Sequence, residues 1–331
     1  MTKTIWSRRF GVLLGSVAGL AALTGMTRAE EIEVAYLSAS SANTWLAASL
    51  AEMQKIAAAN GIKITEFDAQ FDPAKQTAQA QDAISSGKYK GVIFVALTGA
   101  GAIPDVQAAL DAGMQVVGLN QVIGDDLTTS DPQVKGMAAS VMAAPYRSGV
   151  RLGQLTVKAC DGVDACGVVY IFGIKGIPLD VAMRQGFDDT VKDHANISVV
   201  AEGEGKYLGP DGGIAATQTV LALNKPFQVM IGSDQSIQGA AIALKDAGMA
   251  VGSVKLIGLG GSAPAIAGVA DGSWYGDVFG APGDEGRLAM QAMVDALAGK
   301  MSGGLDPLTS IPDEGLITKD NVAKFTAQWN G

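Results

Sequence analysis

The residues of this chain that could do covalent, redox or metal chemistry are few: one histidine, two cysteines and some glycine-rich turns. His194 sits in Val191-Lys192-Asp193-His194-Ala195-Asn196, a stretch that reads as an exposed helix end, so it is expected to be solvated rather than catalytic. Cys160 and Cys166 flank the loop-like run Asp161-Gly162-Val163-Asp164-Ala165. A metal or redox role would need a CxxC spacing or histidine partners, and neither is present; in an oxidising compartment the pair is expected to close a small disulfide loop. Gly99-Ala100-Gly101 and Gly258-Leu259-Gly260-Gly261 lack the third glycine and the acid about 20 residues on that a dinucleotide fingerprint requires. They read as tight βα turns that let a ligand approach the backbone. The chain contains no GxSxG elbow, no HExxH pair and no GxxxxGK[ST] loop. The expectation is therefore a binding protein without cofactor or metal, not an enzyme.

The elements that would position a binding site are legible. Glu31 to Leu37, Ile62 to Phe67, Gly91 to Ala96 and Gln115 to Leu119 read as strands, the third a continuous apolar run suited to a strand buried on both faces. Helices are predicted between them: Asn43 to Asn60 closed by Gly61, Asp72 to Ser86 with Asp72 as N-cap and Pro73 in the first turn, and Ile103 to Ala112. After a helix-like segment at Ser148 to Lys158 the rhythm repeats, with strands at Val168 to Phe172, Ile197 to Ala201, Phe227 to Ile231, Val254 to Leu259 and Trp274 to Phe279. Helices are expected near Leu179 to His194, Asp211 to Leu223, Ser233 to Asp246, Ala263 to Ala270 and Asp284 to Leu297, and Thr318 is expected to cap a final short helix. The fold class is α/β, with two doubly wound parallel sheets linked by right-handed crossovers.

Composition narrows the setting. Residues 1–29 carry Lys3, Arg8, Arg9 and Arg28 around an apolar run from Phe10 to Leu23, ending in Thr27-Arg28-Ala29, which reads as a signal peptide cleaved after Ala29. The run is shorter than the roughly 20 residues that span a bilayer. Its Arg8-Arg9 pair leaves both the general and the twin-arginine export routes open. The whole chain has 24 basic and 33 acidic residues, net −9; losing the signal's four cations leaves 20 against 33, net −13. Such a surface repels nucleic acid and anionic membranes.

The runs Val34-Ala35-Tyr36-Leu37-Ser38, Asn43-Thr44-Trp45, Asp68 to Gln76, Ile93-Phe94-Val95-Ala96, Val116 to Asn120, Arg184-Gln185-Gly186-Phe187, Ile231-Gly232-Ser233-Asp234 and Ile317 to Asn321 together resemble the ribose and galactose type of periplasmic substrate-binding protein of sugar ABC transporters, the type I periplasmic binding fold. The resemblance spans essentially the whole chain after the signal. It implies two lobes joined by a three-crossing hinge, near Ala143 to Tyr146, Phe279 to Pro282 and within about Leu305 to Pro312. The lobes would be 30–144 plus about 281–308, and 145–280 plus about 309–331. It further implies a monomer in the periplasm that captures a sugar or polyol for an ABC transporter permease, or a sensor that presents its closed form to a chemoreceptor or histidine kinase.

Open α/β sheets bind ligands at the carboxyl ends of their strands, and the family's cleft lies at the same loops. The candidates there are Asn43, Trp45, Asn120 and Gln121 from the first lobe, and Asp180, Arg184, Ser233, Asp234 and Phe279 from the second. Trp45 could stack on the apolar face of a sugar ring, and the amides could serve hydroxyls. The sequence departs from the family at three points: Met183 stands where a clamping arginine is usual, with Arg184 about 100° further round its helix, Gly260 replaces an aspartate, and Gly280 replaces a hinge glutamine. The lost side chains imply either a larger ligand filling the vacated volume or a less hydroxylated one, with Asp180 and Asp234 as replacement polar groups; Asp180 could equally be an ordinary residue of a helix's first turn, stabilised by the dipole.

Overall fold

A computed structural model describes residues 1–4 and 32–331. Beyond its first four residues, the expected signal peptide lies outside the described residues. From Ile32 onward the chain forms two α/β lobes, each built on a six-stranded sheet. The first sheet takes β1 (Ile32–Ser38), β2 (Ile62–Asp68), β3 (Gly91–Phe94), β4 (Gln115–Leu119), β5 (Ala139–Val141) and, from far along the chain, β11 (Gly303–Leu305), in the order β2-β1-β3-β4-β5-β11 and all parallel. The second takes β6 (Cys166–Phe172), β7 (Ile197–Glu204), β8 (Val229–Ile231), β9 (Lys255–Leu259), β10 (Gly276–Val278) and β12 (Leu316–Thr318), in the order β7-β6-β8-β9-β10-β12, with β12 antiparallel at the edge. The chain therefore passes between the sheets after β5, after β10 and between β11 and β12.

The helices are α1 (Thr44–Ala59), α2 (Pro73–Ser85), α3 (Ile103–Asp111), α4 (Pro145–Ala159), α5 (Pro178–Val191), α6 (Pro210–Ala222), α7 (Asp234–Asp246), α8 (Ala263–Asp271) and α9 (Pro282–Leu297). Five of them open on proline, whose fixed φ suits the first turn and whose missing N–H costs no intrahelical bond. β3 and β6 are buried along their whole length, as their uninterrupted apolar sequences predict. The tail differs from expectation: Thr318 ends strand β12 instead of capping a helix, and only a short 3-10 turn at Val322–Lys324 follows.

Helix α9 packs on α1 at the first lobe. The contact is so close that a Cβ at Gly286 would overlap the backbone carbonyl of Ser49, and Ser49 Oγ donates to Pro282 O at 2.9 Å. Only glycine permits this approach, and it carries Glu285, the residue before, against Trp45.

The predicted disulfide is present between Cys160, at the end of α4, and Cys166, which opens β6, with Cα atoms 5.7 Å apart. Closing so short a loop is worth about 2 kcal/mol in the chain-entropy account. Both sulfurs lie at the amino end of β6, the far end from the carboxyl-end loops of the sheet. Reduction is therefore expected to lower the melting temperature without changing ligand affinity, which a thermal melt and a titration with and without reductant would check.

Candidate functional site

Strand order fixes where a site can be. In each sheet the winding reverses between the first and third strands, β1 and β3 in one lobe and β6 and β8 in the other, so the loops leaving their carboxyl ends splay apart and open a crevice. The two crevices face each other and border a partly open cavity of about 110 Å3 lined by residues of both lobes. Asn43, Trp45, Asn120, Gln121, Ser233 and Phe279 lie on its wall; Asp180, Arg184 and Asp234 do not.

Asn43 caps α1, accepting from the Leu46 N–H at 2.9 Å through Oδ1. Its Nδ2 donates across the cleft to the Tyr207 carbonyl at 2.9 Å. One residue on, Thr44 Oγ1 accepts from Gln235 Nε2 of the second lobe at 2.8 Å. The start of α1 is thus tied twice to the opposite lobe, and Asn43 acts as a strut between lobes more than as a free partner for hydroxyls. Three non-glycine residues on the wall hold left-handed backbone, Phe71 (φ 57°), Asn120 (φ 63°) and Tyr207 (φ 56°). Such conformations cost of order 1 kcal/mol or more and are held only by their surroundings.

The centre of the first-lobe wall is a carboxyl group. Trp45 Nε1 donates to Glu285 Oε2 at 2.8 Å, and Asn120 Nδ2 donates to the same oxygen at 3.1 Å. Glu285 is 3% exposed, and loss of water pushes its carboxyl up to about 7 in spite of these two donors. Its Oε1 has no hydrogen-bond partner among the described residues. Gln121 Nε2 lies 3.4 Å from Asn120 Oδ1, a weak bond that leaves its own carbonyl free.

The opposite wall is aromatic. Trp329, from the chain's last turn, meets Trp45 edge to face at 5.4 Å and donates its indole N–H to the Gly260 carbonyl at 2.7 Å. A Cβ at Gly260 would sit 2.6 Å from Trp329 Cζ2, and one at Gly280 would overlap Trp45 Cη2. The volume expected to stand vacant at these glycines is filled by two indoles, so the alternative of a larger ligand is not supported by the geometry.

Three candidates lie behind the wall for identifiable reasons. Asp180, in the first turn of α5, turns its carboxylate back to its own loop and accepts from the N–H groups of Gly173 at 2.8 Å and Ile174 at 3.0 Å and from the Tyr207 hydroxyl at 3.1 Å. Burial still pushes it up to about 6. It fixes the loop and the tyrosine and has no oxygen to spare. Arg184 faces outward, paired with Asp188 at 2.8 Å and Glu202 at 2.6 Å and lying over the Tyr170 and Phe172 rings, while Met183 takes the wall position. Asp234 is fully buried behind Ser233: Oδ2 accepts from the Ser262 N–H at 2.7 Å, and the carboxyl faces that of Asp277, whose Oδ2 accepts from the Gly261 N–H at 2.9 Å.

Sequence reasoning missed Glu285, Trp329 and Tyr207. Glu285 looks like an ordinary acid in the first turn of an amphipathic helix, and Trp329 lies in a tail without periodicity; neither carries a local signal for the cavity.

The family described as periplasmic binding protein domain matches residues 34–301. The galactofuranose-binding protein YtfQ of Escherichia coli (strain K12) is 25% identical over 259 residues, 77% of each chain. Among solved structures, a galactofuranose binding protein superposes with a TM-score of 0.78 at 21% identity, covering 88% of this chain and 96% of its own. An ABC transporter solute binding protein from Mycobacterium smegmatis with bound glycerol gives 0.76 at 23%, covering 91% and 100%. The Caulobacter myo-inositol binding protein gives 0.76 at 22%, covering 90% and 97%. At these identities the structural likeness establishes the fold.

Proposed function

Because the chain belongs to the periplasmic binding protein domain family, a family of binding proteins rather than enzymes, we propose that it captures a small carbohydrate or polyol-like molecule between its two lobes and delivers it to an ABC transporter permease. It works as a monomer outside the cytoplasm, after removal of residues 1–29. The observation that carries this reading is the cavity itself, closed by contacts from both lobes and walled by indoles, amides and one buried carboxyl. Indole faces suit the CH side of a polyol, and amides suit its hydroxyls. The relatives named for galactofuranose, glycerol and myo-inositol support the ligand class. Among the described residues no helix is long and apolar enough to cross a membrane. Ligand contacts to both lobes favour the closed form, and the permease reads that form.

Calorimetric titration with sugars and polyols tests the reading: one-to-one binding supports it, and absence of heat with every member of the class refutes it. On a ligand so identified, Trp45→Ala is expected to weaken binding by about 1 to 3 kcal/mol, as for an aromatic anchor. Circular dichroism should show the variant folded; unchanged affinity would remove Trp45 from the site.

A further inference from the structure

We propose that Trp45 and Trp329 form a size filter that restricts the site to small uncharged diols and triols of three or four carbons and shuts out hexoses and hexose-sized cyclitols. The inference rests on the capture reading and specifies its ligand.

Three observations carry it. The space between the lobes is partly open and about 110 Å3, less than the roughly 150 Å3 cavity that takes benzene, so it best suits a ligand of about six non-hydrogen atoms. The filter is built into the backbone: Gly260 and Gly280 leave the room that the two indoles occupy, and each indole is locked by a hydrogen bond, Trp45 to Glu285 and Trp329 to the Gly260 carbonyl. An indole so held does not swing aside for a larger ring.

Several polar atoms of the wall are already engaged. Both ends of Asn43, the Nδ2 of Asn120 and the Nε2 of Gln235 are held by protein partners. Glu285 Oε1, Ser148 Oγ and the side-chain carbonyls of Gln121 and Gln235 remain for a ligand. Few hydroxyls can be matched, and each unmatched one in a dry cavity costs on the order of 1 to 3 kcal/mol. Among the described residues no lysine, arginine or histidine lines the cavity, so a ligand carboxylate or phosphate would be desolvated there with no cation to compensate it.

The test is calorimetric titration of the intact protein, of Trp329→Ala and of the milder Trp329→Phe, each verified as folded by circular dichroism. The probes are glycerol, 1,2-propanediol, erythritol, galactose, myo-inositol and glycerate. The native protein is expected to bind one of the short neutral polyols at least tenfold more tightly than galactose, myo-inositol or glycerate. Trp329→Ala should narrow or reverse the preference over galactose by at least tenfold, with Trp329→Phe between. Galactose or myo-inositol binding the native protein more tightly than every short polyol would overturn the filter while leaving capture intact, and glycerate binding as tightly as glycerol would overturn the restriction to neutral ligands. Absence of binding by every probe would overturn the capture reading, and the filter with it.

Discussion

Glu285→Ala is expected to lower ligand affinity at least tenfold, and Glu285→Gln is expected to leave it near the native value. The alanine removes the acceptor shared by Trp45 Nε1 and Asn120 Nδ2, leaving two partly buried donors without their partner and freeing the indole that lines the cavity. Glutamine keeps a carbonyl oxygen for both donors. The two variants also differ from the native protein in their response to pH. Burial raises the Glu285 carboxyl to about 7, so folding favours its protonated form. The stability associated with that proton is present below the ordinary glutamate value near 4.3 and is lost as pH rises through about 7, a change on the order of 3 kcal/mol. Glu285→Gln has no such proton and should lack that part of the slope when denaturant unfolding is followed from pH 4 to 9. Equal slopes in native and glutamine proteins would show that Glu285 is not held protonated.

Asp277→Asn is expected to stabilise the protein at alkaline pH relative to its effect at acid pH. Asp234 and Asp277 face one another, both fully buried, without a cation beside them. Loss of water raises both carboxyls, and repulsion within the pair adds to it. Two adjacent buried carboxylates cannot both ionise cheaply, so the folded protein retains a proton between them. Its contribution is complete below about 4, the unfolded aspartate value, and declines as pH rises through the raised folded value. An asparagine amide can donate to Asp234 at every pH and removes the decline. Unfolding free energies of native and variant proteins at pH 5 and pH 9 check this: the difference should favour the variant more at pH 9, and a variant that loses stability equally at both would contradict the shared proton.

How far the site was legible in sequence depended on distance along the chain. Asn43, Trp45, Asn120 and Ser233 stand just after strands whose apolar runs announce themselves, so the general rule for open sheets found them. The three-residue strands β5, β11 and β12 are too short to show a period, and their pairing is decided by the neighbouring strand. Glu285 meets Trp45 across 240 residues of sequence, and Trp329 meets Gly260 across 69. No local pattern encodes such pairings. The glycines at 260 and 280 were visible as departures, but what fills their space belongs to the packed fold alone. Asp180 shows the converse: its position in the first turn of a helix was readable, and the backbone it serves was not.

The measurement that tests capture between the lobes most directly is a thermal-shift screen of the protein after signal removal against neutral polyols, sugars, sugar acids and non-carbohydrate metabolites. A ligand at 100 times its dissociation constant stabilises the folded state by about 2.7 kcal/mol. A saturable rise in melting temperature with a neutral polyol or sugar, clearly reduced when Glu285 is changed to alanine, is the expected result. Melting temperatures unmoved by every carbohydrate and polyol, with a clear rise for a charged non-carbohydrate metabolite, would contradict the account.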